Sequence, residues 1–182
     1  MNYSKISTRY AKALFLGALE EKKLHNVHKD LQLIQAIIND NKEFILFLQT
    51  PIYSPDEKKD FLKNFFESKI DFLTMNFLLL LANQRRENRL NDIIRVFFTL
   101  YNEHHQIVNA SLITSYKLEE DFIQEFKKRL EESLSKTVQL QNEIDENIIG
   151  GFILHIEDKE FDASIKNQLN KIKSNLENTS MI

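Results

Sequence analysis

The sequence predicts a mostly α-helical chain: a six-helix N-terminal bundle over residues 1–105, then a small α+β domain over 106–182. Three observations carry this reading. Apolar residues recur at the spacing of one helix face as far as Tyr101. From Val108 the period drops to that of a half-buried strand. Gly150 and Gly151 then stand together inside an apolar run, which implies a bulge or a place where another backbone comes very close.

Each helix of the first domain has its own signature. In the first, Ile6, Tyr10, Ala13, Leu14 and Gly17 share one side, widened by Phe15 and Leu19. A glycine inside a helix costs about 1 kcal/mol relative to alanine, so the expected use of Gly17 is close approach of a neighbouring helix. The second places Val27, Leu31, Ile34 and Ile38 at helical spacing and ends near Asn39-Asp40-Asn41. A short third helix carries Phe44, Ile45, Phe47 and Leu48, and Pro51 stops it. Ser54-Pro55-Asp56-Glu57 starts the fourth, with a Ser cap, Pro in the first turn and carboxylates at the positive end of the helix dipole. Phe61, Leu62, Phe65 and Phe66 form its buried face. The fifth, from Ile70 to Ala82, is apolar almost all round and is expected at the centre of the bundle. The sixth, from Glu87 to about His104, aligns Leu90, Ile93, Ile94, Phe97, Phe98 and Tyr101.

In the second domain Val108, Ala110, Leu112 and Thr114 alternate as a strand would. Leu118-Glu119-Glu120-Asp121 opens a helix that turns Phe122, Ile123, Phe126, Leu130 and Leu134 inward. Two more strands are expected near 137–144 and 148–157, joined through Asp145-Glu146-Asn147, a sequence suited to a tight turn. Phe161-Asp162-Ala163-Ser164 reads as a short polar turn. Asp162 is the expected N-cap of a last helix carrying Ile165, Leu169, Ile172 and Leu176. Residues 177–182 are expected to fray.

Composition narrows the function classes. Hydrophobic residues make up 42% of the chain, enough for a core, and three Gly with two Pro argue against long flexible linkers. Without cysteine there is no disulfide, no thiolate metal site and no cysteine nucleophile, which suits a reducing compartment. A net charge of −3 argues against nucleic-acid binding, which needs a concentrated basic face. Residues 1–105 hold 15 Lys/Arg against 13 Asp/Glu, or +2; residues 106–182 hold 9 against 14, or −5. That acidic half could favour a basic partner, although such charges ordinarily line solvated helix faces. The longest apolar run, Phe77 to Ala82, falls far short of the ~18 residues that span a bilayer. The N-terminus has neither an apolar signal core nor an Arg- and Ser-rich extension. The chain is therefore expected to begin near Met1 and to stay on the cytosolic side.

Candidate chemistry is sparse. His25 and His28 share a helical face at a spacing that can hold a metal, but no third ligand is near in sequence. His104-His105 suits the negative end of the sixth helix, and His155 is expected to pair with Glu157 on the surface. Arg85-Arg86 could bind an anion; complementing the dipole of the fifth helix is the simpler role. There is no phosphate-cradling glycine loop, nucleophile elbow or focused carboxylate pair. No catalytic residue, cofactor or metal is expected.

Two stretches taken together resemble the delta subunit of bacterial ATP synthase, counterpart of the mitochondrial oligomycin-sensitivity-conferring protein. The first is Arg9-Tyr10-Ala11-Lys12-Ala13-Leu14-Phe15. The second is Ile144-Asp145-Glu146-Asn147-Ile148-Ile149-Gly150-Gly151-Phe152-Ile153-Leu154, followed by Phe161-Asp162-Ala163-Ser164-Ile165. Between them, Leu81-Ala82-Asn83-Gln84-Arg85-Arg86-Glu87 and Leu90 look like the family's link between fifth and sixth helices. The likeness spans essentially the whole chain. The sequence departs from the pattern at Arg85, Glu157 and Ala163, where glycine is frequent in the family.

The resemblance implies a non-catalytic stator component at the top of the peripheral stalk of a rotary ATP synthase. In the family the N-terminal domain receives the N-terminal helix of an alpha subunit between its first and fifth helices, and the C-terminal domain meets the b subunits. Carried over, that groove uses Tyr10, Ala13, Leu14 and Gly17 with Phe77, Leu78 and Leu81. The C-terminal family motif falls on Ile144, Asp145, Gly150, Gly151, Phe152, Asp162 and Ser164. The resemblance further implies one copy per complex, no nucleic acid, and attachment to the cytoplasmic face of the bacterial plasma membrane only through the complex. The alternatives are a free-standing helical adaptor or regulator using the same surfaces, and a metal-dependent enzyme using His25, His28 and neighbouring carboxylates.

Overall fold

The structure, a computed structural model, describes residues 4–171. The chain is mostly helical with one small sheet, and it divides into two compact units, one up to Tyr101 and one from Asn102. The expected Ile172, Leu176 and frayed tail lie outside the described residues.

The helices are α1 (Lys5–Glu20), α2 (Leu24–Asp40), α3 (Lys42–Gln49), α4 (Pro55–Phe66), α5 (Phe72–Asn83) and α6 (Leu90–His105), the last entered through a 3-10 turn at Glu87–Arg89. Their ends are chemically specified. The Ser4 hydroxyl accepts the Ile6 and Ser7 N–H groups of α1, and the Asn41 side chain accepts that of Phe44 in α3. At α4, Glu57 N–H donates to Ser54 Oγ (3.2 Å) while Ser54 N–H donates to Glu57 Oε2 (2.7 Å), a reciprocal capping box. The helices α1 and α5 each end in a left-handed residue, Lys22 (φ 58°) and Arg85 (φ 53°). The next N–H closes each end: Lys23 onto Ala18 O and Arg86 onto Leu81 O, both at 2.8 Å.

Val27, Leu31 and Ile34 of α2, Leu62 and Phe66 of α4, Leu78 and Leu81 of α5, and Ile93, Ile94 and Phe97 of α6 form the interior of the first unit. The buried side of α1 is Ser7, Ala11, Leu14 and Ala18, mostly small side chains that let the helix lie close to the core. Ile6, Tyr10, Ala13 and Gly17 sit on its adjoining flank, outside that interior. The expectation that α5 lies at the centre of the bundle needs correction: it is not enclosed all round, because Leu80 remains 46% exposed and Phe72 is more exposed still.

The second unit holds β1 (Ile107–Thr114), α7 (Glu120–Leu134), β2 (Thr137–Ile144), β3 (Phe152–Ile156) and β4 (Lys159–Asp162). The sheet order is β2-β1-β3-β4, with β1 and β2 parallel and the other pairs antiparallel. A parallel pair requires a crossover, and α7 supplies it. A tight turn through residues 145–147 would make β2 and β3 neighbours, but β1 lies between them. Asp145 does begin a turn, with its carbonyl accepting the Ile148 N–H at 3.1 Å, but the chain then crosses the end of β1.

Three smaller corrections follow from β4, which replaces the expected polar turn at Phe161 and Asp162. The β3–β4 reversal runs through Glu157 in a left-handed conformation (φ 53°). Across that hairpin His155 faces Glu160 (3.8 Å), not Glu157. The helix over 165–171 is capped by Ser164, whose hydroxyl accepts the Asn167 N–H at 3.2 Å, rather than by Asp162. The core of this unit is Ala110, Leu112, Val138 and Leu154. Phe126, Leu130 and Leu134 of α7 lean on it, yet Phe122, expected inside, is 52% exposed.

Candidate partner-binding groove

The helices α1 and α5 leave an open apolar groove of about 670 Å3 between them. Ile6, Tyr10, Ala13, Leu14 and Gly17 line it from α1, and Leu73, Asn76, Phe77 and Leu80 from α5. The Tyr10 and Phe77 rings meet edge-on across it with centroids 6.5 Å apart. Ala13 is exposed, and a Cβ built on Gly17 would find no atom within 4 Å. The close helix expected over Gly17 is thus absent from the described residues, and the space it would take is empty.

Of the residues carried over by resemblance, Tyr10, Ala13, Leu14, Gly17 and Phe77 line this groove. Leu78 and Leu81 do not; they are 2% and 1% exposed and fill the interior on another side of α5. Leu73, Asn76 and Leu80 take their place, together with Arg9 and Arg86 at the margin. On a helix apolar all round, no stripe distinguished the face that would be covered.

The groove wall is fixed at the start of α5. Asp71 Oδ1 accepts the Leu73 N–H (2.9 Å) and meets Lys23 Nζ (3.1 Å). From α2, Asp30 Oδ2 accepts the Asp71 N–H (2.8 Å) and the Thr74 hydroxyl (2.6 Å). The Leu73 N–H, and then Lys23, hold the Asp71 carboxyl below its ordinary value. Beyond the other end of α5, Lys58 Nζ donates to Leu48 O (2.9 Å) and pairs with Glu87 (2.5 Å), both residues buried. None of these partners was foreseen from the sequence, because each joins residues far apart in the chain.

In the second unit the glycine motif forms a latch. Gly151 has φ +80°, and a Cβ there would collide with the Ala163 carbonyl oxygen. Gly150 O accepts the Ile165 N–H (2.9 Å), and Phe152 O accepts the Ala163 N–H (3.0 Å). Asp162 Oδ1 accepts the Ser164 N–H at 2.8 Å, and hydrogen bonds from Ser164 lower the Asp162 pKa. Asp145 sits at the end of β2, where its N–H donates to Thr114 O at 2.9 Å; Phe152 packs edge-on against Phe126. The motif therefore ties three strands to the closing helix, and along it Ile144, Ile149 and Phe161 present largely exposed apolar side chains.

A family model described as ATP synthase delta (OSCP) subunit matches residues 6–176. The chain belongs to that family. It is 36% identical over 171 residues to the ATP synthase subunit delta of Alkaliphilus oremlandii, covering 94% of this chain and 95% of the relative. The Lactobacillus gasseri subunit delta is 32% identical over 177 residues, covering 97% of each. Among solved structures, a chain of the Toxoplasma gondii mitochondrial ATP synthase hexamer superposes with TM-score 0.76 at 25% identity, covering 95% of this chain and 98% of that one. As a delta-family member the chain is a non-catalytic stator component of the ATP synthase peripheral stalk.

The histidine pair of α2 lies against Tyr101 of α6. His28 stacks on Tyr101 with centroids 3.8 Å apart, and His25 Nδ1 lies 3.5 Å from the Tyr101 hydroxyl. Among the described residues no three His, Cys, Asp or Glu side chains converge as metal ligands. No described helix is long and apolar enough to cross a membrane. Two of the three departures from the family's glycines, Arg85 and Glu157, adopt the left-handed conformation that glycine accepts without strain.

Proposed function

We propose that the groove between α1 and α5 holds the N-terminal helix of an alpha subunit of the catalytic head, and that the second unit meets the b subunits of the peripheral stalk. In this reading residues 1–105 act as one six-helix bundle that grips the head, and residues 106–182 grip the stalk. The joint keeps the head from turning with the central shaft, so that proton flow is coupled to ATP synthesis. One copy serves each complex, without cofactor or nucleic acid. It reaches the cytoplasmic face of the bacterial plasma membrane only through its partners.

The observation that carries this reading is the open apolar face shared by two neighbouring helices, with Ala13 exposed and the space over Gly17 unfilled. An amphipathic helix laid there becomes a further member of the bundle and buries its apolar stripe. Such burial contributes about 25 cal/mol per Å2 before association costs. On the second unit, Phe122, Tyr116 and Ile149 leave apolar surface exposed, which suits a second adhesive face.

Ala13→Glu tests the groove. The carboxylate is solvated in the free chain but must be desolvated when a helix docks. Affinity for the alpha-subunit helix is expected to fall by a factor on the order of 30, about 2 kcal/mol, with the melting temperature unchanged. Unchanged affinity in a stably folded variant, confirmed in the assembled complex, would refute the assignment.

A further inference from the structure

The geometry points to charge recognition at one end of the groove: we propose that the docking helix carries carboxylates that pair with Arg9 and Arg86. This inference rests on the groove being a helix-docking site. Lys23, just past α1, reaches Asp71, just before α5, at 3.1 Å, while Tyr10 meets Phe77 part-way along both helices. The helices therefore run in opposite directions. Arg9, near the start of α1, and Arg86, just past α5, consequently lie at the same end, and both line the groove.

Among the described residues no carboxylate lines the groove, and neither arginine has an ion-pair or hydrogen-bond partner for its side chain. Two guanidinium groups thus border an apolar trough with their donors uncommitted. The chain beyond the other end carries Glu20, Glu21 and Asp71 together with Lys22 and Lys23, and Lys23 engages Glu21 and Asp71. The trough has a cationic end and an end where acids and lysines stand together. A helix whose carboxylates meet the guanidinium forks gains charge-assisted hydrogen bonds. The same helix reversed end for end leaves those carboxylates without the two guanidinium partners. Apolar burial sets how tightly the helix is held, and the two arginines set which way round it lies.

The test titrates the full chain with a synthetic peptide of the alpha-subunit N-terminal segment from the same organism, at low and high salt. Wild-type affinity is expected to weaken as salt screens the exposed pairs. Arg9→Glu with Arg86→Glu is expected to weaken it about tenfold. A peptide with its acidic residues changed to amides should bind the wild type about as weakly, with little further loss on the reversed chain, the mark of coupled groups. Should the charge reversal unfold the chain, Arg9→Gln with Arg86→Gln is expected to remove the salt dependence instead. Undiminished binding by the reversed chain, or effects that merely add, overturns the proposal. Ala13→Glu in the same titration separates the two readings. If it abolishes binding while the arginine variants do not weaken it, the groove stands and charge recognition falls; if neither weakens binding, both fall.

Discussion

A methyl group added at Gly151 would be forced into a left-handed conformation and against the Ala163 carbonyl oxygen. The first effect alone costs an L-residue about 1–2 kcal/mol. Gly151→Ala is accordingly expected to destabilise the second unit by about 2 kcal/mol or more, read from its denaturant midpoint with the first unit unaffected. Gly17 behaves oppositely. Its Cβ position is empty, so Gly17→Ala removes a helix-interior glycine at no steric cost and is expected to stabilise the free chain by about 0.5–1 kcal/mol. If a helix seats there, the same variant binds the alpha-subunit peptide more weakly. A rise in melting temperature with unaltered affinity would show that nothing approaches Gly17.

At the scale of elements, α5 is held at both ends by groups from other helices. Asp30 and Lys23 organise its start, and the Lys58–Glu87 pair anchors the 3-10 turn that follows its end. Lys58 is 3% exposed and Glu87 7%, and Glu87 Oε2 makes no hydrogen bond, so the carboxylate depends on the ammonium beside it. Lys58→Met is expected to cost about 3–5 kcal/mol by stranding that charge. Lys58→Met combined with Glu87→Leu is expected to cost markedly less than Lys58→Met alone, since the desolvated carboxylate is then gone. Urea unfolding of both variants checks this; equal losses would mean the pair adds nothing beyond packing. The elements also show why the groove was only partly readable. The small residues of α1 and its aromatic Tyr10 marked one wall, but α5 is apolar on every side and so names no face.

For the molecule as a whole, three carboxyls share one pH signature. Asp71, Glu57 and Asp162 are each held below their ordinary values by hydrogen bonds at chain turns and helix starts. A carboxyl with a depressed folded pKa contributes stability fully above its unfolded value, about 4, and loses it as pH falls through the folded value. Both units are therefore expected to keep these contributions from pH 5 upward and to weaken below about pH 4. Asp71→Asn should flatten that acid limb for the first unit; an unchanged slope between about pH 3 and 5 would exclude Asp71 as a contributor. Helix starts, such as Ser54 with Glu57, and the alternation of β1 were determined by the sequence itself, because caps and periodicity act within a few residues. Tertiary structure alone decided that β1 separates β2 from β3, that Leu78 and Leu81 turn inward while Leu73 and Leu80 line the groove, and that Arg9 and Arg86 lie at one end of it. Those outcomes depend on which distant surfaces compete for the same apolar faces, and that competition is settled only when the whole chain packs.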